Sequence, residues 1–339
     1  MAKSTEIDGQ LLTYDKSLPQ GRARKLIHVN GVMSPAAKQA RDLEALVWMT
    51  LESPMDAIAI HNSTQGFQSD IVECLLGKAE LYSLWSGKNV DAAIQRVRGY
   101  ADLIRPLIEQ KLSTKCDMIQ AVKQGDAQAI APRFGIDFSL LQRLPNRAMD
   151  LGEISSYWYG NYPAGAPRAT LRLAHEIIQS LNRGTEVFVI AHSQGTIIAA
   201  IALHIVAQFF NEAPDWSRAL RLIGYGPVIM FEDLPSDMRS QTVLIQHRED
   251  LVAESFSNVR NVDLWSDIQA QLQKVLENVS SLTQLIQNDS RHSSSNYLGL
   301  SGESSAQRSA QILQQLLISS WNTPILQSLT GTRLILENS

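Results

Sequence analysis

The chain reads as an α/β protein: a doubly wound, mostly parallel sheet with a large helical insertion. Three observations predict it. Short apolar runs at 25–31, 55–61, 187–191, 219–226 and 242–248 read as strands buried on both faces. Amphipathic helical stretches separate them, the alternation that builds parallel sheets. The run at 187–191 then passes through one tight turn straight into a long apolar helix at 196–210.

Residues 1–24 are polar and turn-rich, and only 11–14 offers a short edge strand. The strand at 25–31 ends in Asn30-Gly31, a turn signal. Ser34-Pro35 opens a helix over 34–51, with serine at the cap, proline at the first helical position, and Ala36, Ala40, Leu43 and Val47 near one face. About 120 residues separate the strand at 55–61 from that at 187–191, far more than a crossover needs. Helices are expected over 67–130, with Val90, Ile94, Val97, Ala101 and Ile104 on one face and Pro106 breaking or restarting the helix. An irregular stretch with Tyr157, Trp158, Tyr159 and Tyr162 follows. The expected domains are therefore a core of 1–62 and 167–339 and a helical cap of 63–166; an accessory packing subdomain without a substrate role fits the same residues.

Pro167 starts the next helix, which continues through Leu171, Ala174, Ile178 and Leu181 and ends at Asn182-Arg183-Gly184. Beyond the last strands, Ile268, Leu272, Val275, Val279, Leu282 and Ile286 repeat at spacings of three and four and predict a second inserted helix over 261–287. The last clear helix carries Ile312, Leu313, Leu316 and Leu317.

A chain of 339 residues, 44% hydrophobic and 19% charged, can bury a large core. Its net charge of −4 gives no basis for nucleic-acid binding. Cys74 and Cys116 are too few for a disulfide framework and suit a reducing compartment with both thiols free. The first ten residues lack the apolar core of a signal peptide, and the most apolar stretch is interrupted by His204 and Gln208. A cytoplasmic protein is expected, with contact at a membrane or lipid interface left open. No metal-ligand spacing and no Gly-rich loop followed by lysine is present, so neither a metal nor a cofactor is expected.

The turn between strand and helix is Ala191-His192-Ser193-Gln194-Gly195. A nucleophile elbow needs this context: a sharp turn, small flanking residues, and a central serine exposed at the top of the sheet. Gly195, Ala199 and Ala202 share one helical face, where small residues let the helix approach the sheet. A structural turn with an ordinary serine is the alternative. On these residues the chain resembles the α/β-hydrolase family, and within it the lipase and esterase branch. Ala191 stands where the commoner pattern has glycine. The resemblance covers residues 25–62 and 167 onward, and not the insertion.

The resemblance implies a triad and an oxyanion hole. Ser193 would be the nucleophile. Asp250, in the turn after a late strand, would be the acid, with Glu249 its nearest rival and Glu232 and Asp233 next. His292, on a polar loop before the final helix, would be the base, which completes the serine–acid–histidine order of that family. Asp250 would hold the Nδ1 hydrogen of His292, and His292 would take the Ser193 proton and return it to the leaving group. The backbone N–H groups of Val32 and Gln194 would form the oxyanion hole. The other six histidines fit worse, and His192, beside the serine, is expected to pack locally. The implied substrate is a small-molecule acyl ester or lipid, since an apolar cap suits bulky acyl groups. A thioesterase or acyltransferase would use the same residues, and a non-catalytic binding module on the same fold is the reading from another class.

Overall fold

A computed structural model of the chain describes residues 9–14, 23–63, 67–86, 90–108, 168–211, 213, 215–257 and 290–337. The aromatic stretch at 157–162, the expected helix at 261–287 and Cys116 lie outside the described residues.

Among the described residues seven strands form one sheet in the order β1-β3-β2-β4-β5-β6-β7. They are β1 (Leu11–Thr13), β2 (Arg24–Val29), β3 (Asp56–Ile60), β4 (Glu186–His192), β5 (Leu220–Tyr225), β6 (Thr242–His247) and β7 (Thr332–Leu336). β1 runs antiparallel to β3, and every other pairing is parallel. The five apolar runs and the short edge strand all lie in this sheet. β7 is an addition to them. It is an edge strand with only Leu336 buried, so it lacks the unbroken apolar run of the central strands.

Among the described residues the longer helices are α1 (Ala36–Met49), α2 (Phe67–Trp85), α3 (Val90–Ile108), α4 (Arg168–Asn182), α5 (Gln194–Phe209), α6 (Leu251–Ser257) and α7 (Ser304–Ile318), with shorter turns between them. Successive strand residues point to opposite faces, so the sheet has two cores. Ile27, Val29, Val187 and Val189 pack with α2 to α6, while Leu26, Phe188, Ile190 and Ile223 pack with α1 and α7. An α/β layering with both sheet faces covered results. Every residue of α5 from Gln194 to Leu203 is buried. A helix apolar all round belongs inside, and each fully buried Ile or Leu there contributes about 1.5–3 kcal/mol relative to an exposed one.

Two expectations change. The helix expected from Ser34 starts at Ala36, with Pro35 in extended geometry at the cap and no side-chain cap bond. More substantially, the described part of the 63–166 insertion is not separate from the core. Ile71, Cys74, Leu81, Val97, Tyr100, Ala101 and Ile104 of α2 and α3 join the same apolar cluster as α5. The expected boundary at residue 62 therefore cuts through a packed layer, and α3 runs on past Pro106 to Ile108. α4 ends as expected, with Gly184 N–H donating to Leu181 O at 2.9 Å and Thr185 N–H to Ser180 O at 3.0 Å.

Parallel pairing puts the carboxyl ends of β2, β4, β5 and β6 on one edge: Val29 lies beside Ala191, and His192 beside Tyr225. Ligands of open α/β sheets bind at this edge. Among the described residues no helix is long and apolar enough to cross a membrane.

Candidate active site

β4 turns into α5 at Ser193, whose backbone has φ 51 and ψ −124. A side chain in this region costs on the order of 1–3 kcal/mol, which the surrounding packing must hold. That packing is tight. A Cβ at residue 195 would meet Val29 O at 2.6 Å and Asn30 O at 2.8 Å, so only glycine lets α5 start this close to β2. A Cβ at residue 31 would meet the Ser193 Cβ at 2.6 Å, so the loop after β2 lies directly against the elbow. Thr196 fastens the turn: its N–H and hydroxyl both donate to Ser193 O, at 2.9 and 2.6 Å.

The Ser193 hydroxyl donates to His292 Nε2 at 2.7 Å. His292 Nδ1–H donates to Asp250, 2.8 Å from Oδ1 and 2.9 Å from Oδ2. The three side chains come from positions 193, 250 and 292, and all three residues are buried. Asp250 also accepts the Ala253 N–H at 2.8 Å and the Tyr297 hydroxyl at 2.6 Å. Burial on its own would raise the Asp250 carboxyl; the charge and hydrogen bond of His292, with Tyr297 and Ala253, outweigh it and hold the carboxyl below its ordinary value. An ionised Asp250 fixes the hydrogen of His292 on Nδ1 and leaves Nε2 free to accept from Ser193.

The rival acids are elsewhere. Glu249 is largely exposed and pairs with Arg291 at 3.4 Å. Asp233 accepts Lys78 Nζ at 2.6 Å, Trp85 Nε1 at 3.1 Å and Met230 N–H at 2.9 Å, tying α2 to the loop after β5. Glu232 is exposed on that same loop.

His192 packs locally, as expected, but with a specific partner. Its Nε2–H donates to the backbone carbonyl of His292 at 2.8 Å. Its ring stacks on Tyr225 at 4.8 Å and lies 5.2 Å from the ring of His292. Tyr225 in turn stacks at 6.2 Å on His28, whose Nε2 is 2.9 Å from the Tyr225 hydroxyl. Burial, and then the nearby His292, push the His192 imidazole well below its ordinary value; burial alone takes His28 down to about 3. Both rings are therefore neutral at physiological pH.

Val32 lies between Gly31, which abuts Ser193, and Met33, whose φ is 51. Gln194 is the first residue of α5, a position whose N–H has no acceptor within the helix. The two expected oxyanion donors thus belong to the two segments flanking the serine. Asn30 brackets this loop. Its Nδ2 reaches Gly31 O, Ser34 O and Asn62 O at 3.1, 3.2 and 2.9 Å, and its Oδ1 accepts the Asn62 N–H at 2.7 Å. Asn62 Nδ2 donates to Gln194 Oε1 at 2.7 Å, and Gln194 Nε2 donates to Glu73 Oε2 at 3.2 Å. Met33 N–H donates to Asp70 Oδ2 at 3.3 Å. Asn62, Asp70, Glu73 and Tyr297 were absent from the sequence-derived site. Tyr297 had one available signal, its place five residues after His292 on the same loop; the other three had none.

Among the described residues no group of three or more His, Cys, Asp or Glu side chains is placed to hold a metal ion. Comparisons with protein-family models, curated proteins and solved structures gave no match to this chain.

Proposed function

We propose that the protein is a serine hydrolase of the α/β-hydrolase type that cleaves a carboxylic ester, with Ser193, His292 and Asp250 as its triad. The observation that carries this reading is the unbroken relay from the Ser193 hydroxyl through His292 to Asp250, at 2.7 and 2.8 Å. The strained φ of Ser193 at the carboxyl edge of the sheet supports it.

In this mechanism His292 Nε2 takes the Ser193 proton as Oγ attacks the acyl carbon. Negative charge develops on the carbonyl oxygen and is met by the N–H groups of Val32 and Gln194. Losing one such donor costs about 10²–10³ in turnover. Nε2–H then protonates the leaving alcohol, and an acyl-enzyme remains on Ser193. Water, deprotonated by the same Nε2, releases the acid and restores the serine. Ester, thioester and acyl-transfer chemistry all use these steps, so acyl donors of each kind belong in one assay series.

Covalent labelling with a fluorophosphonate probe tests the reading on wild type, Ser193→Ala and His292→Ala. Labelling that vanishes in both folded variants is expected. A folded wild type that stays unlabelled, with and without detergent or lipid interface, would overturn the reading in favour of a binding module.

A further inference from the structure

A second feature lies at the opposite edge of the sheet. A cavity of about 400 Å³ opens between the amino ends of β5, β6 and β7 and the end of α7. That volume is within the range that holds small metabolites. Arg221, the second residue of β5, lies against it, with Arg218 just before the strand, Trp321 beyond α7, and Gln241, Asn322 and Gln327 also lining the wall. Among the described residues that line it none is acidic, and Trp321 is the only aromatic.

Arg221 is a built group. Its side chain is only 10% exposed. Nη1 donates to Arg218 O at 2.6 Å and to Leu220 O at 3.0 Å, and the guanidinium lies 5.2 Å from the Trp321 ring centroid. Nε is buried and has no hydrogen-bond partner among the described residues. Among the described residues Nη2 has only a distant ion pair, 3.9 Å from Glu186 Oε1. That carboxylate is already engaged by Arg24, whose Nε donates to Oε2 at 3.1 Å. Among the described residues two guanidinium groups thus share one carboxylate, which leaves positive charge in excess there. Burial pushes the Arg221 guanidinium below its ordinary value, as expected for a cation short of counter-charge. Arg218 pairs with Asp215 at 2.9 Å, but both are mostly exposed and the pair is screened.

A buried cation that is not fully paired costs stability unless something compensates it. Here that cation lines a polar cavity whose amide side chains can each turn an NH₂ donor inward. We infer that this cavity binds the oxyanion group, phosphoryl or carboxylate, of a small metabolite, with Arg221 as its anchor and Arg218 at its mouth. Guanidinium groups suit such anions because their planar donors match the oxygen spacing. The site is remote from Ser193, so it does not depend on the hydrolase reading.

Thermal unfolding and calorimetric titration of the full chain with inorganic phosphate and with citrate, in chloride of matched ionic strength, test this. Saturable binding in the millimolar range or tighter is expected for at least one of them. Phosphate alone would assign a phosphoryl ligand and citrate alone a carboxylate. Gln241→Glu and Asn322→Asp, which put a carboxylate into the wall, should each weaken it by about ten-fold or more, because a like charge is placed against the ligand. Arg221→Gln should abolish it. Circular dichroism spectra and anion-free unfolding midpoints close to wild type in the two wall variants show them folded, whether or not Ser193 reacts with any probe. Absence of saturable binding of either anion to the wild type, or binding undiminished in both folded wall variants, would overturn the inference.

Discussion

Tyr297→Phe removes one oxygen from behind the triad, and its effect can be worked out from the contacts. The hydroxyl donates to Asp250 Oδ2 at 2.6 Å and accepts the His247 N–H at 3.0 Å, and the residue is fully buried. A hydrogen bond to a charged acceptor contributes about 1.5–3 kcal/mol, and a buried N–H left without its acceptor costs about 1–3 kcal/mol. Because the two share one atom they do not simply add, and a net loss of about 2–4 kcal/mol is expected. Asp250 keeps its bonds to His292 and Ala253, so the triad should survive but sit less firmly. A small displacement of the imidazole costs up to about 10² in rate, so labelling of Ser193 should slow by about 10- to 100-fold. The pH dependence has a definite sign. The Asp250 carboxyl is depressed in the folded state, so its contribution is present above the unfolded value and is lost as pH falls through the folded one. Tyr297→Phe brings the folded value back toward the unfolded one, and this part of the stability difference from wild type should fade as pH falls below the native value. Urea unfolding at several pH values, together with fluorophosphonate labelling rates, measures both. A variant that loses stability yet labels at the wild-type rate would refute the positioning role and leave Tyr297 as packing.

Asp250→Asn should keep the fold but lower ester turnover by about 10⁴-fold, since an amide facing Nδ1 favours the wrong tautomer; steady-state kinetics on activated esters checks this. Asn30→Ala removes the bracket around the proposed oxyanion loop and should lower kcat by about 10²-fold with KM little changed, read from the same substrates. Gly195→Ala places a methyl group against two backbone carbonyls and should cost more than about 3 kcal/mol or prevent folding, measured by urea midpoint. Glu176, buried but bonded to Lys25 at 2.8 Å, is a separate pH probe. Burial would raise it, yet His175 and Lys25 together pull it from 4.5 down to about 2. Its stabilisation, on the order of 3 kcal/mol, is full above pH 4.5 and lost as pH falls toward 2. Glu176→Gln should therefore flatten the fall of unfolding free energy between pH 5 and about 2, and an unchanged slope would refute the assignment.

Much of the sheet was legible because its central strands are buried on both faces and so read as unbroken apolar runs, as at 187–191 and 242–247. β7 escaped because an edge strand buries little and leaves a weaker pattern. The stripe of α3 was visible, but periodicity says only that a face is apolar, not what covers it, and so a core helix was expected in a cap. Ser193, Asp250 and His292 could be proposed because turn context and chain order constrain them. Asn62, Glu73 and Tyr297 act through hydrogen bonds to partners 132, 121 and 47 residues away, and their residue types mark no chemistry alone.

The rings of His28, Tyr225, His192 and His292 form a continuous pile rising from β2 through β5 and β4 to the loop that bears the proposed base. Each ring sets the height of the next, much as courses of masonry set the level of a lintel. A smaller side chain at 225 would let the ring at 192 settle, and the carbonyl of 292 would settle with it. Drift among relatives at positions 28, 192 and 225 should therefore be correlated, with a change in one course answered in another and the ring at 292 held fixed, although 28 and 225 lie 197 residues apart.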